Sequence, residues 1–258
     1  MDLQLRGKVV VVTGGSKGIG LACAREFLAE GATVALIARN AANLDAARAT
    51  LGSGVATEAA DMVDAAQAQA AMERIAAKLG PIDILVNSAG AARRFAPEEL
   101  NAAAWKQTMD AKFFSTVHAI DAVIGGMAAR RAGVIINIIG MGGKVASHYH
   151  IAGGAANAAL MLATAGLASA YAGQGVRVNG LNPGITMTGR VEEGLKVESR
   201  ATGKSEADLL QSAQAKIPMG RAALPEEVAR VAVFLASPMA SYVSGAIVPM
   251  DGVSNAVI

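Results

Sequence analysis

A glycine-rich turn near the N-terminus carries the clearest chemical signal in the sequence. An apolar run ending at Thr13 leads directly into Gly14-Gly15-Ser16-Lys17-Gly18-Ile19-Gly20, and a helical pattern follows. Glycines let the backbone approach a pyrophosphate closely, and a helix N-terminus directs free amides and the positive end of its dipole toward the phosphates. A simple tight turn is the alternative interpretation. The order strand, turn, helix favours nucleotide binding.

The second apolar run indicates which dinucleotide is bound. NAD sites usually place a carboxylate at the end of the second strand, where it accepts hydrogen bonds from the ribose hydroxyls. This chain has Ala38 there, followed by Arg39. A carboxylate would repel a 2′-phosphate, whereas Arg39 and Lys17 can both donate charge-assisted hydrogen bonds to it. The sequence therefore predicts NADP(H), unless Arg39 is simply a solvated residue after a strand.

Short apolar runs alternate with longer helical patterns along the whole chain, and no linker divides them. Runs such as VVVV and VIINII lack polar alternation, as expected for strands covered by helices on both faces. We therefore predict one α/β domain over residues 1–258, with a Rossmann-like, doubly wound, seven-stranded parallel sheet in a three-layer α/β/α arrangement. The predicted strands are Lys8–Thr13, Thr33–Ala38, Gly54–Ala60, Ile82–Val86, Gly133–Ile139, Val176–Leu181 and Ala246–Met250, and helices should begin near Gly18, Asn43, Asp64, Pro97, Ala152 and Pro225.

Composition excludes several classes of protein. Hydrophobic residues make up 53% of the 258 residues, which is too many for a disordered chain. The net charge is only +2 and the basic residues are scattered, so nucleic-acid binding is not supported. The single cysteine, Cys23, lies in an apolar helical pattern and is expected to be a buried thiol, which fits a reducing, cytoplasmic setting. No metal site is expected.

The sequence does not favour a membrane protein, although its hydropathy raises the question. The stretch 145–176 contains no Asp, Glu, Lys or Arg and is long enough to span a bilayer. It consists mostly of Ala and Gly with interspersed polar residues, and it has few large aliphatic residues to drive insertion. The N-terminus also lacks the pattern of a signal peptide, because Asp2 and Arg6 precede only a short apolar run.

Several motifs in a fixed order resemble the short-chain dehydrogenase/reductase family over nearly the whole chain. They are the TGxxxGxG spacing, Asp61 after the third strand, Asn87-Ser88-Ala89-Gly90 after the fourth, Asn182-Pro183-Gly184 followed by Thr188, and the closing Ser244-Gly245 and Asp251-Gly252. The resemblance implies that Asp61 and Met62 contact the adenine, and that Asn87, Ala89 and Gly90 line the cofactor. It places Pro183, Gly184, Thr186 and Thr188 at the nicotinamide end, although an ordinary turn would also explain the Asn-Pro-Gly run.

The sequence departs from the family at the four catalytic positions. The family uses a Ser and a Tyr that hydrogen-bond a carbonyl, a Lys that lowers the pKa of the Tyr, and an Asn that completes a proton relay. Aligned on the flanking motifs, the serine position falls at Gly140, the tyrosine position at Gly153 and the lysine position at Asn157. The asparagine position falls at Lys112. The family's tyrosine proton donor is therefore absent from its usual place.

A rearranged set of groups is available nearby. Lys and Asn are exchanged between the two walls, so Lys112 can stabilise a developing alkoxide while Asn157 hydrogen-bonds a ribose hydroxyl. Tyr149 and His150, in the run His148-Tyr149-His150, are the candidate proton donors. Alternatively, these three are ordinary loop residues and Lys112 reaches solvent. Phe95, the 148–150 loop and a lid over about 185–218 would bound the substrate site.

Three functions remain open at this level. The chain is an NADP(H)-dependent oxidoreductase acting on a carbonyl or alcohol, a catalytically silent nucleotide-binding or regulatory protein, or a structural partner in a mixed oligomer. Its fifth long helix, over 152–172, carries Ala, Gly, Ser and Thr around most of its surface. Such small side chains bury little area unless another helix packs closely against them. A homo-oligomer is therefore expected, with an internal helix covered only by its own sheet as the alternative. The family resemblance places a helix-helix interface there and a second one near the C-terminal strand, which implies a tetramer.

Overall fold

The computed structural model describes residues 2–90, 95–148 and 150–256. Its centre is a seven-stranded sheet in the order β3-β2-β1-β4-β5-β6-β7, in which every neighbouring pair is parallel. The strands are β1 (Val9–Thr13), β2 (Thr33–Ala38), β3 (Ala56–Ala59), β4 (Ile84–Asn87), β5 (Gly133–Ile138), β6 (Val176–Pro183) and β7 (Ile247–Met250). The predicted doubly wound fold is confirmed.

Helices cover both faces of this sheet. In the described residues they are α1 (Gly18–Ala29), α2 (Ala41–Leu51), α3 (Ala65–Leu79), α4 (Ala102–Met109), α5 (Ser115–Arg130), α6 (Ile151–Tyr171), α7 (Gly189–Thr202), α8 (Glu206–Gln214) and α9 (Pro225–Ala236). Asx and Ser caps set several of the starts: Asn40, Asp64 and Ser205 each accept a backbone N–H of the first turn.

Two apolar layers bind the helices to the sheet. On one face Phe27 of α1 and Val233 of α9 pack with Leu36 of the sheet. On the other, Met72 of α3 and Met127 of α5 pack with residues such as Ile135. Cys23 lies within the first layer with no exposed surface, and burial raises the pKa of its thiol to about 12. This thiol is therefore part of the core, as expected.

The segment after β4 differs from the expected single helix beginning near Pro97. Pro97–Glu99 forms a short 3-10 turn, and α4 begins only after Asn101, whose side chain accepts the backbone N–H of Ala104. Between α4 and α5 the helix widens into a π-helical segment, Asp110–Phe114. Single turns of this kind shift the register of the side chains that follow and often occur at functional sites.

Helix α6 lies in the apolar stretch 145–176, which is long enough to span a membrane. Residues Ile151–Gln174 are long and apolar enough to cross a bilayer, with a mean hydropathy of 1.5. In the structure α6 packs against β6 and α4, and its buried residues include Leu160 and Ala168. This packing is that of a helix covering one face of the sheet in a layered α/β fold, with 39% of the apolar window buried.

The turn after β7 contains a strained residue. Val253 has a φ of 64°, in the left-handed region that a β-branched side chain avoids, and 59% of its surface is exposed. Its backbone N–H donates to Asp251 Oδ1, which holds it in this conformation.

Replacing Val253 by Gly is expected to raise the free energy of unfolding by about 1 kcal/mol, because glycine adopts a positive φ without a Cβ clash. Urea denaturation of the parent and the variant measures this gain. Val253→Ala is the matched control, since it removes the exposed isopropyl group but keeps the Cβ. An equal gain from the Ala variant would show that the backbone strain is not responsible.

Candidate functional site

The candidate site lies at the carboxyl ends of the central strands. In a parallel sheet these ends meet at one edge, where open α/β proteins bind their ligands. The turn after β1, the Ala89-Gly90 turn after β4, Gly140 after β5 and Pro183 at the end of β6 all lie there. The topology therefore brings together the segments that sequence analysis singled out separately.

The glycine-rich turn is packed against the end of β4. Gly14 has a φ of 66°, and a Cβ at this position would lie 2.7 Å from the backbone nitrogen of Ala89. A Cβ on Gly20 would collide with the carbonyl oxygen of Gly14. Only glycine fits at either position, so the turn presents its backbone rather than side chains at the N-terminus of α1. Ser16, Lys17, Gly18 and Ile19 complete this turn and the first residues of α1.

A chain of buried polar side chains holds the strands beneath this turn. Thr13 Oγ1 donates to Asn87 Oδ1 at 3.3 Å, and Asn87 Nδ2 donates to Asn137 Oδ1 at 2.9 Å. Asn137 Nδ2 then donates to Thr164 Oγ1 of α6, also at 2.9 Å. The amide of Asn87 is therefore engaged in joining β1, β4 and β5, and its side chain is only 2% exposed. Sequence analysis missed the roles of Asn137 and Thr164, whose polarity in apolar runs was the available signal.

The two residues expected beside the adenine lie in the turn between β3 and α3. Asp61 Oδ1 accepts the backbone N–H of Val63, and Met62 is buried. The Met62 carbonyl oxygen lies 3.1 Å from Nδ1 of His118, which belongs to α5. The contacts of Asp61 with Val63 and of Met62 with His118 therefore hold this turn in place. The sequence contained no signal for the His118 contact.

The two cations expected to select the cofactor lie on neighbouring turns. Arg39 is exposed directly after β2, and Lys17 is exposed in the glycine-rich turn. The backbone N–H of Gly14 donates to the carbonyl of Ile37 at 2.8 Å, which ties these two turns together. Both cations are therefore exposed on turns that a backbone hydrogen bond joins.

Gly140, which the resemblance aligns with the family's serine, has an unusual backbone conformation. Gly140 has φ 122° and ψ 149°, a region that essentially only glycine occupies. A Cβ there would lie 3.3 Å from Nδ2 of Asn157, so Gly140 and Asn157 face each other. Gly153, at the tyrosine position, is buried in the first turn of α6.

Asn157 contributes a buried acceptor to the site. The residue is only 4% exposed, and among the described residues its Oδ1 has no hydrogen-bond partner. A buried amide oxygen without a partner destabilises the fold, so a donor from a bound molecule would satisfy it. This observation fits the ribose hydroxyl expected at Asn157.

The ring of His150 also reaches this region, since it precedes α6 directly. A Cβ on Gly142 would lie 3.3 Å from His150 Nε2 and 3.5 Å from Asn157 Nδ2. The side chains of His150 and Asn157 therefore both lie next to Gly142. Tyr149 lies outside the described residues. The structure therefore places one of the two expected proton donors, His150, beside Asn157.

Lys112 enters the site from the π-helical segment. It is buried, and its Nζ donates to the carbonyl oxygen of Ile138 at 2.9 Å. Burial, and second the positive charge of Arg190, lower the pKa of Lys112 to about 8. The alternative in which this side chain reaches solvent is therefore wrong. Arg190 was missed by sequence analysis, although it lies only two residues after Thr188.

The segment after β6 covers the same edge. Thr186 is buried and pairs with Ala223 in an isolated bridge, and a Cβ on Gly18 would lie 3.3 Å from Cγ2 of Thr188. Pro183 and Gly184 thus lead into a segment that touches the glycine-rich turn. Helices α7 and α8 follow within the expected lid. No residue of α7 with a described side chain is fully buried.

Replacing Gly140 by Ser is expected to lower the free energy of unfolding by about 2 kcal/mol and to give no gain in activity, because the φ of 122° strains any side chain. Denaturation and turnover measurements on the purified variant test both statements. Gly166→Ala is the matched control, since Gly166 lies exposed in α6 with no atom near its Cβ position. An unchanged unfolding midpoint with raised activity would show that the loop readily adopts the usual serine conformation.

Comparisons with known proteins found similar proteins over nearly the whole chain. A family model described as Enoyl-(Acyl carrier protein) reductase matches residues 14–253. Galactitol 2-dehydrogenase (L-tagatose-forming) from Cereibacter sphaeroides is 40% identical over 251 residues, covering 96% of this chain and 95% of that protein.

Two solved structures with bound NADPH are also similar. L-sorbose reductase from Gluconobacter frateurii, complexed with NADPH and L-sorbose, has a TM-score of 0.95 and 32% identity. The match covers 100% of this chain and 100% of that one. An NADPH-bound short-chain oxidoreductase from Pseudomonas aeruginosa PAO1, described as containing an atypical catalytic center, has a TM-score of 0.88 and 32% identity, covering 97% of this chain and 98% of that one.

Proposed function

Because this chain belongs to the short-chain dehydrogenase/reductase family, we propose that it is an NADP(H)-dependent oxidoreductase that interconverts an alcohol and a carbonyl compound. The observation that carries the proposal is the glycine-rich turn at the N-terminus of α1, packed against Ala89 so closely that only glycine fits. This arrangement exposes backbone amides to a pyrophosphate. The NADPH complexes of two similar proteins support the choice of cofactor.

The residues present fit a bound dinucleotide along its whole length. Lys17 and Arg39 suit the 2′-phosphate, Asp61 and Met62 the adenine, and the unpartnered Oδ1 of Asn157 a ribose hydroxyl. Pro183 to Thr188 would bound the nicotinamide end, which supplies or accepts a hydride when the cofactor is bound. The groups that bind the substrate and transfer the proton must come from the chain and from water.

We further propose that catalysis uses a rearranged set of groups. Gly140 and Gly153 offer no hydroxyl, whereas Lys112, Asn157 and His150 all reach the same edge of the sheet. Tyr149 remains a candidate from the sequence. The similar protein from Pseudomonas aeruginosa, described as having an atypical catalytic center, supports the idea that this fold tolerates such a change.

Polyols and ketoses are the first substrates to test, because two similar proteins are named for galactitol and L-sorbose. Oxidation of NADPH, followed at 340 nm with a panel of ketoses, simple ketones and aldehydes, is expected to show turnover. The reverse assay uses the matching alcohols with NADP. Tight NADPH binding without turnover of any compound would favour a silent nucleotide-binding protein instead.

We also propose that the chain forms one domain over 1–258 and works in the cytoplasm as a homotetramer. Helix α6 carries small residues and an exposed Leu162, and large apolar side chains such as Phe114 and Tyr242 are exposed elsewhere. Apolar surface of this kind favours association.

Light scattering at micromolar concentration is expected to give a mass several times the 26.0 kDa of one chain, because association would cover this apolar surface. Leu162→Glu, which places a charge on the exposed face of α6, should reduce that mass. Glu substitution at Val197, an exposed apolar residue of α7, is the control. A mass of about 26 kDa for the parent would rule the oligomer out.

A further inference from the structure

The position of Lys112 follows from two local features of the backbone. The π-helical segment shifts the register of the helix, and Gly90, with a φ of 108°, leaves room beside it. A Cβ on Gly90 would lie 3.3 Å from Cδ of Lys112. The side chain therefore runs along Gly90, at the end of β4, and ends at the carbonyl of Ile138, at the end of β5. Its ammonium group stands at the sheet edge where the substrate would bind.

The charge of Lys112 is not balanced by a carboxylate. Within the described ranges no ion pair involves Lys112, and the one acidic residue of its own π-helical segment, Asp110, is paired with Lys106. From α7 the facing group is Arg190, which is also positive, and at the start of α6 the titratable side chain is His150. A buried ammonium without a counter-ion destabilises a fold. Methionine would fill the same volume without that cost, so packing does not explain this lysine.

We infer that Lys112 is the catalytic acid and base, a role that rests on the proposed oxidoreductase activity. In reduction, its ammonium group donates a proton to the substrate oxygen. The carbonyl carbon receives the hydride that the bound cofactor supplies, and the electron pair of the C=O double bond moves to the oxygen. That oxygen takes a proton from Nζ, which leaves the alcohol and a neutral amine. The neutral amine then takes up the one proton that the reduction consumes from the solution, and oxidation of the alcohol follows the reverse path, releasing a proton.

The surroundings of Lys112 suit this role. A proton donor works best when its pKa is close to the working pH. Burial and the nearby charge of Arg190 bring the pKa of Lys112 to about 8, whereas an exposed lysine holds its proton too tightly. The hydrogen bond to Ile138 orients the amine in both protonation states, because a neutral amine also donates.

Two substitutions separate proton donation from simple charge stabilisation. Lys112→Arg keeps the positive charge but cannot release a proton, and Lys112→Met removes both. We expect both variants to lower kcat for reduction by about 100-fold or more, since general acid catalysis typically contributes that much. Primary amines such as ethylamine should partly restore the activity of Lys112→Ala, with a rate that depends on the pKa of the amine. Lys106→Met, on the exposed side of the same helical region, should keep the parent activity.

Measurements without turnover complete the test. NADPH affinity, measured by fluorescence titration, should stay within about threefold of the parent in both variants. In the cofactor-free protein labelled with ε-¹³C lysine, the resonance missing from Lys112→Arg should titrate near pH 8. If the parent turns substrate over and Lys112→Arg keeps a tenth or more of its kcat, the donor assignment is overturned while the proposed function stands. If the parent binds NADPH but turns over no carbonyl or alcohol, the proposed function itself fails, and the donor assignment fails with it.

Discussion

Replacing Arg39 by Asp should reverse the preference for NADP(H) over NAD(H). Each charge-assisted hydrogen bond to the 2′-phosphate contributes about 1.5 to 3 kcal/mol, so Arg39 and Lys17 together favour NADPH by about 100-fold or more. The hydrogen bond from Gly14 to Ile37 joins their two turns, and we expect both cations to bind the same phosphate. An aspartate at position 39 repels that phosphate and accepts hydrogen bonds from the ribose hydroxyls of NADH.

Calorimetric titration of parent and variant with each cofactor measures the ratio of the dissociation constants directly. Arg48→Asp is the matched control, because Arg48 is exposed near the end of α2 and the charge change is the same. That variant should keep the parent ratio. Equal affinities of the parent for the two cofactors, or a ratio unchanged in Arg39→Asp, would show that the end of β2 does not select the cofactor.

Lys112 should make the stability of the fold depend on pH in an unusual direction. The pKa of this lysine is about 8 in the folded chain and 10.5 in its ordinary state, so between these values the unfolded chain binds more protons. The free energy of unfolding contributed by this group therefore rises with pH across that window. Below pH 8 the buried charge destabilises the fold by its full amount.

Lys112→Met removes this dependence. Compared with the parent, the variant should gain about 2 kcal/mol more at pH 7 than at pH 9.5, because the parent recovers most of its penalty as the amine loses its proton. Urea denaturation at both pH values and at fixed protein concentration measures the difference. Lys106→Met is the matched control, because it removes an exposed lysine that is paired with Asp110. A constant difference between parent and Lys112→Met would place the pKa of this lysine near its ordinary value.

The two Lys112 results together would describe a residue that destabilises the protein while serving its chemistry. Sites of this kind commonly trade stability for activity. The unpartnered Oδ1 of Asn157 and the positive φ of Gly140 belong to the same region. Strain and unsatisfied groups concentrated at one edge of an otherwise well-packed sheet are expected where a ligand binds.

Much of this protein could be read from local sequence patterns. The unbroken apolar runs identified the strands of a buried parallel sheet, because side chains covered on both faces need no polar alternation. The spacing of Gly14, Gly18 and Gly20 predicted a phosphate-binding turn, since the close approach of the backbone is a local requirement. The sequence also predicted departures from the family at Gly140, Gly153 and Asn157, because flanking motifs align these positions.

Tertiary structure alone decided the surroundings of Lys112. The burial of Lys112, its hydrogen bond to Ile138 and the nearness of Arg190 join residues that are 26 and 78 positions apart in the sequence. The π-helical segment that aims Lys112 and the φ of 122° at Gly140 depend on how β5, α5 and α6 pack together. A pKa depends on the solvent and charges around a group in the folded chain, and no spacing along the sequence specifies those surroundings.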